Sequence, residues 1–304
     1  MKILFMGTTD FAVSCLDAIL TAGYPVAAVC TKVDRPKNRG MKLAFSPVKE
    51  YAMKRGIPVL QPSTLKSEET EAALRAVGAD LFVVVAYGKL LPREVLELPP
   101  LGCVNVHASL LPKYRGAAPI QWAVINGERE TGVSIMYLSE AMDAGDVISA
   151  ASLEIRRGES FGSVYERLKS LGGELLVKTL PALEQGTAKA VPQREAEVTY
   201  APPITREHCR IDWTCPAEQV FSRICGLDPK PGARALLGGT EFKIFSPEAA
   251  EQRSELPPGS ILSAGKGRLE VVCGDGGVLQ IRELQAPGGK RMKTEDYLRG
   301  HSLP

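Results

Sequence analysis

The sequence has no excess of one charge, no long apolar run and no paired cysteine motif, and each absence excludes a class of protein. Its 304 residues include 37 basic and 35 acidic side chains, so the formal net charge of +2 does not indicate a general polycation. No apolar run approaches the ~18 residues of a membrane span, and the N-terminal run is too short for a secretion signal. We therefore expect a chain without a membrane segment that stays in the cytoplasm.

The cysteines exclude two kinds of scaffold. There are seven, an odd number, and none stands in a C-x-x-C pattern, which argues against a disulfide framework and against a zinc site. We expect free thiols in a reducing compartment and no metal requirement. With 44% hydrophobic and 24% charged residues, the composition is that of a globular protein long enough for two domains.

The first half of the sequence does contain a repeated alternation of apolar strands and amphipathic helices. Strands are expected at residues 2–6, 26–31, 57–60 and 81–86, and helices at 11–22, 46–55 and 67–77. This alternation predicts an α/β fold with a Rossmann-like parallel sheet and helices on both faces. Ligands of such a sheet bind beyond the carboxyl ends of its strands.

The first strand-to-helix turn, residues 7–12, bears on the choice of cofactor. It has Gly7 but lacks the second and third glycines of the dinucleotide fingerprint, so we expect no NAD. Asp10 is most simply the N-cap of the following helix, and the alternative is a substrate contact at the sheet edge.

Two polar side chains stand in an otherwise apolar strand within residues 102–128, GCVNVHASLLPKYRGAAPIQWAVINGE. Because a strand repeats every two residues, Asn105 and His107 point to the same face. An imidazole, which titrates at about pH 6.5, can move a proton at neutral pH, and a carboxamide N–H can stabilise an oxyanion. The pair indicates an acid–base site, whereas a lone histidine in an apolar strand is more often a hydrogen-bonded core residue.

Such a site also needs a carboxylate that orients or charge-balances the histidine. Asp143 is the best candidate, because Gly145 loosens the chain between the strands GVSIMYL and DVISAASLEI. Asp146 and Glu140 compete with it, and the spacing alone leaves all three open.

A basic stretch lies between the second strand and the following helix. In TKVDRPKNRGMKLAF, five lysines and arginines accompany a single acid, Asp34, while Pro36 and Gly40 discourage regular structure. A solvated surface loop is one interpretation. The other is contact with a nucleic-acid backbone, since basic residues on a loop beside a cleft suit phosphate groups.

The second half of the chain has a different pattern. A helix at 160–184 closes the first domain, and a linker rich in proline and charge follows it. Beyond lie a helix at 216–225 and short strands between glycine and proline turns, which favour a small C-terminal β-barrel of the OB-like kind. We divide the chain into a first domain (1–188), expected to be catalytic, a linker (189–205) and a barrel domain (206–304), a type of domain that often binds nucleic acid.

Two of these stretches carry a resemblance to a known family. NVHASLLPKYRGAAPIQWAVINGE and ETGVSIMYLSEAMDAGDVI resemble the folate-dependent formyltransferases, whose pattern is Asn-x-His, Ser-Leu-Leu-Pro, an Arg-Gly turn and an aspartate before Ala/Thr-Gly-Asp. The resemblance implies 10-formyltetrahydrofolate as the formyl donor. It implies the catalytic groups Asn105, His107 and Asp143. The folate site would be lined by the Ser-Leu-Leu-Pro segment, which is Ser109, Leu110, Leu111 and Pro112.

Three segments resemble the tRNA-directed members of that family, namely DRPKNRGMKL, SPVK and VVCGDGGVLQIRELQAPGGKRMKTEDYLRG. Such members formylate the α-amine of the methionine on initiator tRNA. The resemblance implies that tRNA is held through basic residues, which are Arg35, Arg39, Lys42, Lys290, Arg291 and Lys293. We separately expect a monomer. The chain departs from the pattern at Gly289, where lysine is usual, and at Lys230, where tryptophan is usual; these departures affect only individual tRNA contacts.

Two rival functions fit part of the sequence. A formyltransferase that acts on an amino-sugar nucleotide would share the catalytic groups, but the basic loop and LQAPGGKRM argue against it. A catalytically inactive tRNA-binding protein would share the basic segments. The intact Asn105, His107 and Asp143 argue against that function.

Overall fold

A computed structural model describes residues 1–37, 42–265 and 267–303. The chain forms two compact units, each assembled from three segments. The first contains Met1–Ala117, Gly132–Leu153 and Arg167–Ala201, and the second contains Ala118–Thr131, Glu154–Glu166 and Pro202–Pro304. The second unit therefore includes two segments that precede the expected linker.

The described helices are α1 (Asp10–Thr21), α2 (Pro47–Lys54), α3 (Glu68–Ala76), α4 (Arg93–Leu96), α5 (Pro119–Ile125), α6 (Phe161–Glu184), α7 (Ala217–Leu227) and α8 (Thr294–Leu298). The described strands are β1 (Ile3–Gly7), β2 (Val26–Cys30), β3 (Arg35–Lys37), β4 (Lys42–Ala44), β5 (Val59–Leu60), β6 (Leu81–Val85), β7 (Cys103–His107), β8 (Arg115–Gly116), β9 (Glu130–Tyr137), β10 (Val147–Glu154), β11 (Tyr200–Ala201), β12 (Ala233–Leu237), β13 (Thr240–Arg253), β14 (Ile261–Gly265), β15 (Arg268–Val272), β16 (Gly277–Gln285) and β17 (Met292–Lys293).

The main sheet of the first unit has the strand order β10-β9-β7-β6-β1-β2-β5. Strands β5, β2, β1, β6 and β7 run parallel, and β9 is antiparallel to β7. Every residue of β1, β6 and β7 is buried, as expected for central strands covered on both faces. The predicted α/β fold with a parallel-dominated sheet is confirmed.

Two local predictions in the first unit are wrong. The N-cap of α1 is Thr9, whose Oγ1 accepts the N–H of Ala12 at 3.4 Å, and Asp10 is the first helical residue. Both residue types cap well, and Asp10 in the first turn instead meets the positive end of the helix dipole. The basic stretch is also more regular than expected, because β3 and β4 pair antiparallel with Pro36 opposite Leu43. A two-stranded ribbon tolerates this proline because both of its strands are edges.

The second unit contains an antiparallel sheet of order β12-β13-β16-β15-β14, with β17 also paired to β16. Strand β13 is long and irregular, with Ser246 at a φ of 49° and a register shift between Ala249 and Arg253. Helix α7 buries Val220 and Ile224, which lie on one face at helical spacing. The predicted helix is present, and the predicted C-terminal domain of short strands is confirmed as an antiparallel sheet.

All seven cysteines are free thiols, and Cys215 alone is more than marginally exposed. Burial raises the pKa of the Cys15 thiol to about 12 and that of the Cys30 thiol to about 11. Across the described ranges, no helix has the length and apolar composition needed to cross a bilayer.

Candidate active site

The site starts at the carboxyl end of β7, a strand held between β6 and β9. Asn105 pairs with Val84 on one side and Met136 on the other, and both Asn105 (9% exposed) and His107 (6% exposed) are buried. A carboxamide and an imidazole therefore sit at the end of a rigid central strand, with their orientation set by the strand's alternation.

The His107 ring is hydrogen-bonded at one nitrogen and faces a carboxylate with the other. Nε2 lies 2.9 Å from the backbone carbonyl of Tyr114, and Nδ1 lies 3.7 Å from Oδ2 of Asp143. Because a carbonyl only accepts, Nε2 carries a hydrogen in both the neutral and the charged ring. Nδ1 is therefore the nitrogen that gains or loses a proton, and it does so facing a carboxylate that balances the positive charge.

Asp143 is the one of the three candidate carboxylates that reaches His107. Its side chain is 14% exposed, whereas Asp146 and Glu140 are exposed to solvent. Its Oδ2 accepts the backbone N–H of Gly116 at 2.8 Å, and its own backbone has a φ of 52°. A left-handed conformation is uncommon outside glycine and costs on the order of 1 kcal/mol, so neighbouring contacts must hold it.

The position that donates this N–H to Asp143 must be a glycine. Gly116 has a φ of 125°, and a Cβ there would lie 2.7 Å from the carbonyl oxygen of Ala201, its partner in the β8–β11 pairing. Only glycine can bring this N–H to the Asp143 carboxylate without moving β11.

The Asn105 carboxamide differs from its neighbours, because it has no hydrogen-bond partner within the described part of the chain. Its polar atoms are not among the fully enclosed ones that lack a partner, which within the described residues are Thr131 Oγ1 and Trp213 Nε1, so solvent reaches them. Its N–H groups are therefore available to an oxygen atom of a ligand at this strand end.

Two buried serines form hydrogen bonds with the backbone of the loop after β7. Ser109, fully buried, donates its hydroxyl to the carbonyl of Lys113 at 2.6 Å. Ser134 of β9 donates to the Ser109 carbonyl at 2.8 Å and accepts the Leu111 N–H at 3.1 Å. Ser109 thus faces the backbone, and the partly exposed side chains of this segment are the apolar ones, Leu110, Leu111 and Pro112.

Sequence reasoning gives no role to Ser134 or Gln193, and it places Arg115 in the Arg-Gly turn without giving it a role. Arg115 is only 4% exposed; its Nη2 lies 2.8 Å from Oε1 of Glu195, and its Nε donates to Oε1 of Gln193 at 3.0 Å. Ser134 is a polar residue in the apolar run GVSIMYL, the same signal that identifies His107. Nothing local marks Gln193, which lies in the expected linker.

The six residues expected to contact tRNA fall into four groups. Arg39 lies outside the described residues, and Arg35 and Lys42 belong to the paired strands β3 and β4. Lys290 and Lys293 are exposed, and within the described ranges neither forms an ion pair.

Arg291 is different, because its guanidinium is engaged within the second unit. Nη1 lies 2.6 Å from Oδ1 of Asp228, a residue 6% exposed, and Nε donates to Glu283 at 2.6 Å. The guanidinium also lies 4.1 Å from the ring centroid of Phe245.

No group of three or more histidine, cysteine, aspartate or glutamate side chains with the arrangement of a metal site occurs among the residues that the structure describes. Asp143 and His107 form a pair rather than such a group. The chemistry that this pair and Asn105 can supply is proton transfer and hydrogen bonding.

Comparisons with known proteins cover almost the whole chain. The sequence profile described as "Formyl transferase" matches residues 1–180, and that of "Formyl transferase, C-terminal domain" matches residues 203–302. A curated relative from Caldanaerobacter subterraneus subsp. tengcongensis, named methionyl-tRNA formyltransferase, is 45% identical over 100% of this chain and 98% of its own length. One of the same name from Acetivibrio thermocellus is 44% identical over 100% and 97%.

Solved structures with similar folds are more distant in sequence. HypX from Aquifex aeolicus, crystallised with tetrahydrofolic acid, aligns with a TM-score of 0.68 at 20% identity over 98% of this chain, which spans 47% of that protein. An N-formyltransferase from Helicobacter canadensis, crystallised with folinic acid and dTDP-3-aminofucose, aligns with a TM-score of 0.68 at 17% identity, covering 92% of this chain and 98% of that one. Identities this low establish the shared fold alone.

Proposed function

The chain belongs to the formyl transferase family, and we propose that it transfers the formyl group of 10-formyltetrahydrofolate to the α-amine of initiator methionyl-tRNA. The curated relatives that match its full length at about 45% identity bear the name of that activity. The observation that carries the chemistry is the buried corner where His107 faces Asp143 at 3.7 Å beside the unpaired amide of Asn105.

Each of the three side chains has a distinct role in the proposed reaction. The Asn105 carboxamide donates to the oxygen that becomes negative as the amine attacks the formyl carbon. Nδ1 of His107 takes the amine proton, directly or through a water, and passes it toward the departing folate nitrogen. Asp143 balances the imidazolium charge during that transfer. No covalent bond to the protein is needed, because the corner holds both reactants in place.

The folate side of the site is proposed to lie along residues 109–112. Leu110, Leu111 and Pro112 are partly exposed beside the end of β7, and their apolar side chains fit a flat heterocyclic ring. Ser109 supports them by holding the Lys113 carbonyl. The segment therefore offers apolar contact area next to the amide of Asn105, which suits a ring system that carries a formyl group.

The tRNA side is proposed to use basic side chains. Lys290 and Lys293, together with Arg35, Arg39 and Lys42 of the basic stretch, would meet phosphate groups of the acceptor arm. We propose that residues 1–188 perform the chemistry, that 206–304 bind tRNA and that 189–205 connect them. We also propose that the chain works as a cytoplasmic monomer.

One assay tests the substrate assignment. Labelled formyl transfer from 10-formyltetrahydrofolate is measured with methionyl-tRNA, with uncharged tRNA and with an amino-sugar nucleotide as acceptors. Transfer to methionyl-tRNA alone is expected, since only that acceptor offers an α-amine on a tRNA. Transfer to the sugar alone would replace this proposal by a sugar formyltransferase, and no transfer to any acceptor would leave a tRNA-binding protein.

The basic stretch has its own test. Arg39→Ala is expected to weaken tRNA binding and to reduce its salt dependence, because one phosphate contact is lost. Folate affinity, measured separately by fluorescence, should stay unchanged. An unchanged tRNA affinity and salt slope would remove Arg39 from the tRNA-binding surface.

A further inference from the structure

Asp143 is held by its backbone as well as by its carboxylate. The side-chain amide nitrogen of Gln193 lies 2.9 Å from the carbonyl oxygen of Asp143 and 2.7 Å from that of Gly145. The two hydrogens of that NH2 group can therefore serve one carbonyl each. The loop is tight at this point, since a Cβ on Gly145 would lie 1.8 Å from the Tyr137 carbonyl oxygen.

The orientation of the Gln193 amide is set by its third partner. Its Oε1 accepts Nε–H of Arg115 at 3.0 Å. An arginine only donates and a carbonyl only accepts, so the amide oxygen must face Arg115 and the NH2 must face the loop. Arg115 is itself buried and anchored on Glu195 at 2.8 Å, which keeps it from turning away.

These contacts close a ring around the catalytic carboxylate. Arg115 is followed by Gly116, whose N–H donates to Asp143 Oδ2, and Arg115 also orients the amide that holds the Asp143 backbone. The left-handed φ of 52° at Asp143 is thus fixed from two sides. The Gly116 N–H binds the carboxylate, and the Gln193 amide binds the backbone carbonyls of Asp143 and Gly145. Release of either end would let the backbone relax and carry the carboxylate away from His107.

We infer that Gln193 is a positioning residue for formyl transfer, which acts by holding Asp143 in the conformation that faces His107. The inference rests on the proposed function, because Asp143 is catalytic only in that reaction. The inference also means that the segment after residue 188 does more than connect two domains. Its residues up to Ala201 belong to the first compact unit and frame the active site, rather than only joining two domains.

The test is a double-mutant cycle in the full-length chain. Gln193→Met keeps the side-chain length and removes the hydrogen bonds. Its kcat for methionyl-tRNA is expected to fall by about 10- to 100-fold, as for small misplacements of a catalytic group, with the KM of both substrates within about twofold. In an Asp143→Asn background, the same change should cost less than about twofold more, because the group that it positions is already disabled.

Two further variants keep the test decisive. Gln193→Glu can still accept from Arg115 but cannot donate to the carbonyls, so it should lose activity like Gln193→Met. Gln185→Met, at an exposed glutamine just after α6, is the matched control and should leave kcat unchanged. Melting temperatures of all variants show whether a loss of activity follows a loss of fold.

The outcomes separate the inference from the function on which it rests. Wild-type protein that fails to formylate methionyl-tRNA contradicts the proposed function. With an active wild type, an equal fold-loss in both backgrounds, a rise in KM at unchanged kcat, or full activity of Gln193→Glu would each overturn the role of Gln193. A loss that affects kcat alone, and that occurs in the chain with Asp143 but not in the Asp143→Asn variant, supports it.

Discussion

Two groups of functional candidates in this chain lie in opposite environments. His107 and Asp143 lie within the first unit, and both ring nitrogens and Oδ2 of the carboxylate face a defined neighbour. Lys290 and Lys293 are exposed in the second unit and form no ion pair in the described part of the chain. The largely enclosed pair takes its geometry from contacts within the fold, whereas the two exposed lysines extend into solvent.

Arg291 shows that internal partners separate these two groups better than burial does. Its place in the sequence puts it between the exposed cations, but its contacts with Asp228, Glu283 and Phe245 resemble those of the buried pair. Charge in a sequence therefore does not identify a phosphate contact until the internal partners of that charge are known.

The largest expected effect lies at the buried pair. His107→Asn should lower kcat by about 10²- to 10⁴-fold, because Nδ1 no longer exchanges a proton with the reacting amine. Steady-state formylation of methionyl-tRNA measures the loss. His301→Asn, at an exposed histidine, is the control and should retain full activity. A similar loss in both variants would show that His107 has no special place in the reaction.

Gly116→Ala should have the next largest effect. The added Cβ meets the Ala201 carbonyl at 2.7 Å and displaces the N–H that holds Asp143, so kcat should fall about tenfold and stability by about 2 kcal/mol. Gly186→Ala is the matched control, since Gly186 is also left-handed, at a φ of 65°, but has open space around it. That control should lose about 1 kcal/mol in urea unfolding and no activity. Equal kcat in the two variants would contradict the positioning by Gly116.

The contrast between Arg291 and its neighbour comes third. Arg291→Met leaves the buried Asp228 unpaired, and because the arginine side chain is 33% exposed we expect a loss of only about 2 kcal/mol in urea unfolding. The salt slope of tRNA binding should stay the same. Lys290→Met should do the reverse, with unchanged stability and a slope smaller by about one. If Arg291→Met alone reduced the slope, Arg291 would belong with the exposed group.

The smallest effect concerns acid stability at the base of the basic stretch. Hydrogen bonds from Lys49 and Gln61 hold the pKa of the Asp34 carboxyl below its ordinary value of 3.8. A lowered pKa in the folded state contributes stability that is present above pH 3.8 and is lost as the pH falls toward the folded value. Asp34→Asn should therefore unfold more easily at neutral pH but lose less stability between pH 5 and pH 3, as followed by circular dichroism. Parallel pH curves for the two proteins would contradict this coupling.

The parts of the fold that follow a local period were predictable from the sequence. The apolar runs of β1 and β6 and the Ser46–Pro47 start of α2 are visible in neighbouring residues, and the Ser46 hydroxyl accepts the Lys49 N–H at 3.1 Å as a cap should. The same period-two logic put Asn105 and His107 on one strand face. Local rules were enough there because each feature is encoded within one element.

Other parts of the site depend on contacts that no local pattern encodes. Asp143 rather than Asp146 or Glu140 faces His107 because its backbone is left-handed, and residue spacing does not reveal that conformation. In the sequence, only the family resemblance indicates Asp143. Gln193 meets Arg115 across 78 positions and Asp143 across 50, so only the folded chain identifies it. Asp10 was misassigned as a cap because two adjacent residues were chemically suited to that position.

The distribution of thiols makes the chain suitable for site-specific labelling. Six cysteines are buried, and burial raises the pKa of several of them, to about 12 for Cys103, so that little reactive thiolate is present at neutral pH. Cys215 is the partly exposed one. Maleimide dyes should react there first. Replacement of that single residue would give a background on which a dye introduced beside Lys290 tests in real time whether the proposed tRNA substrate binds near this lysine.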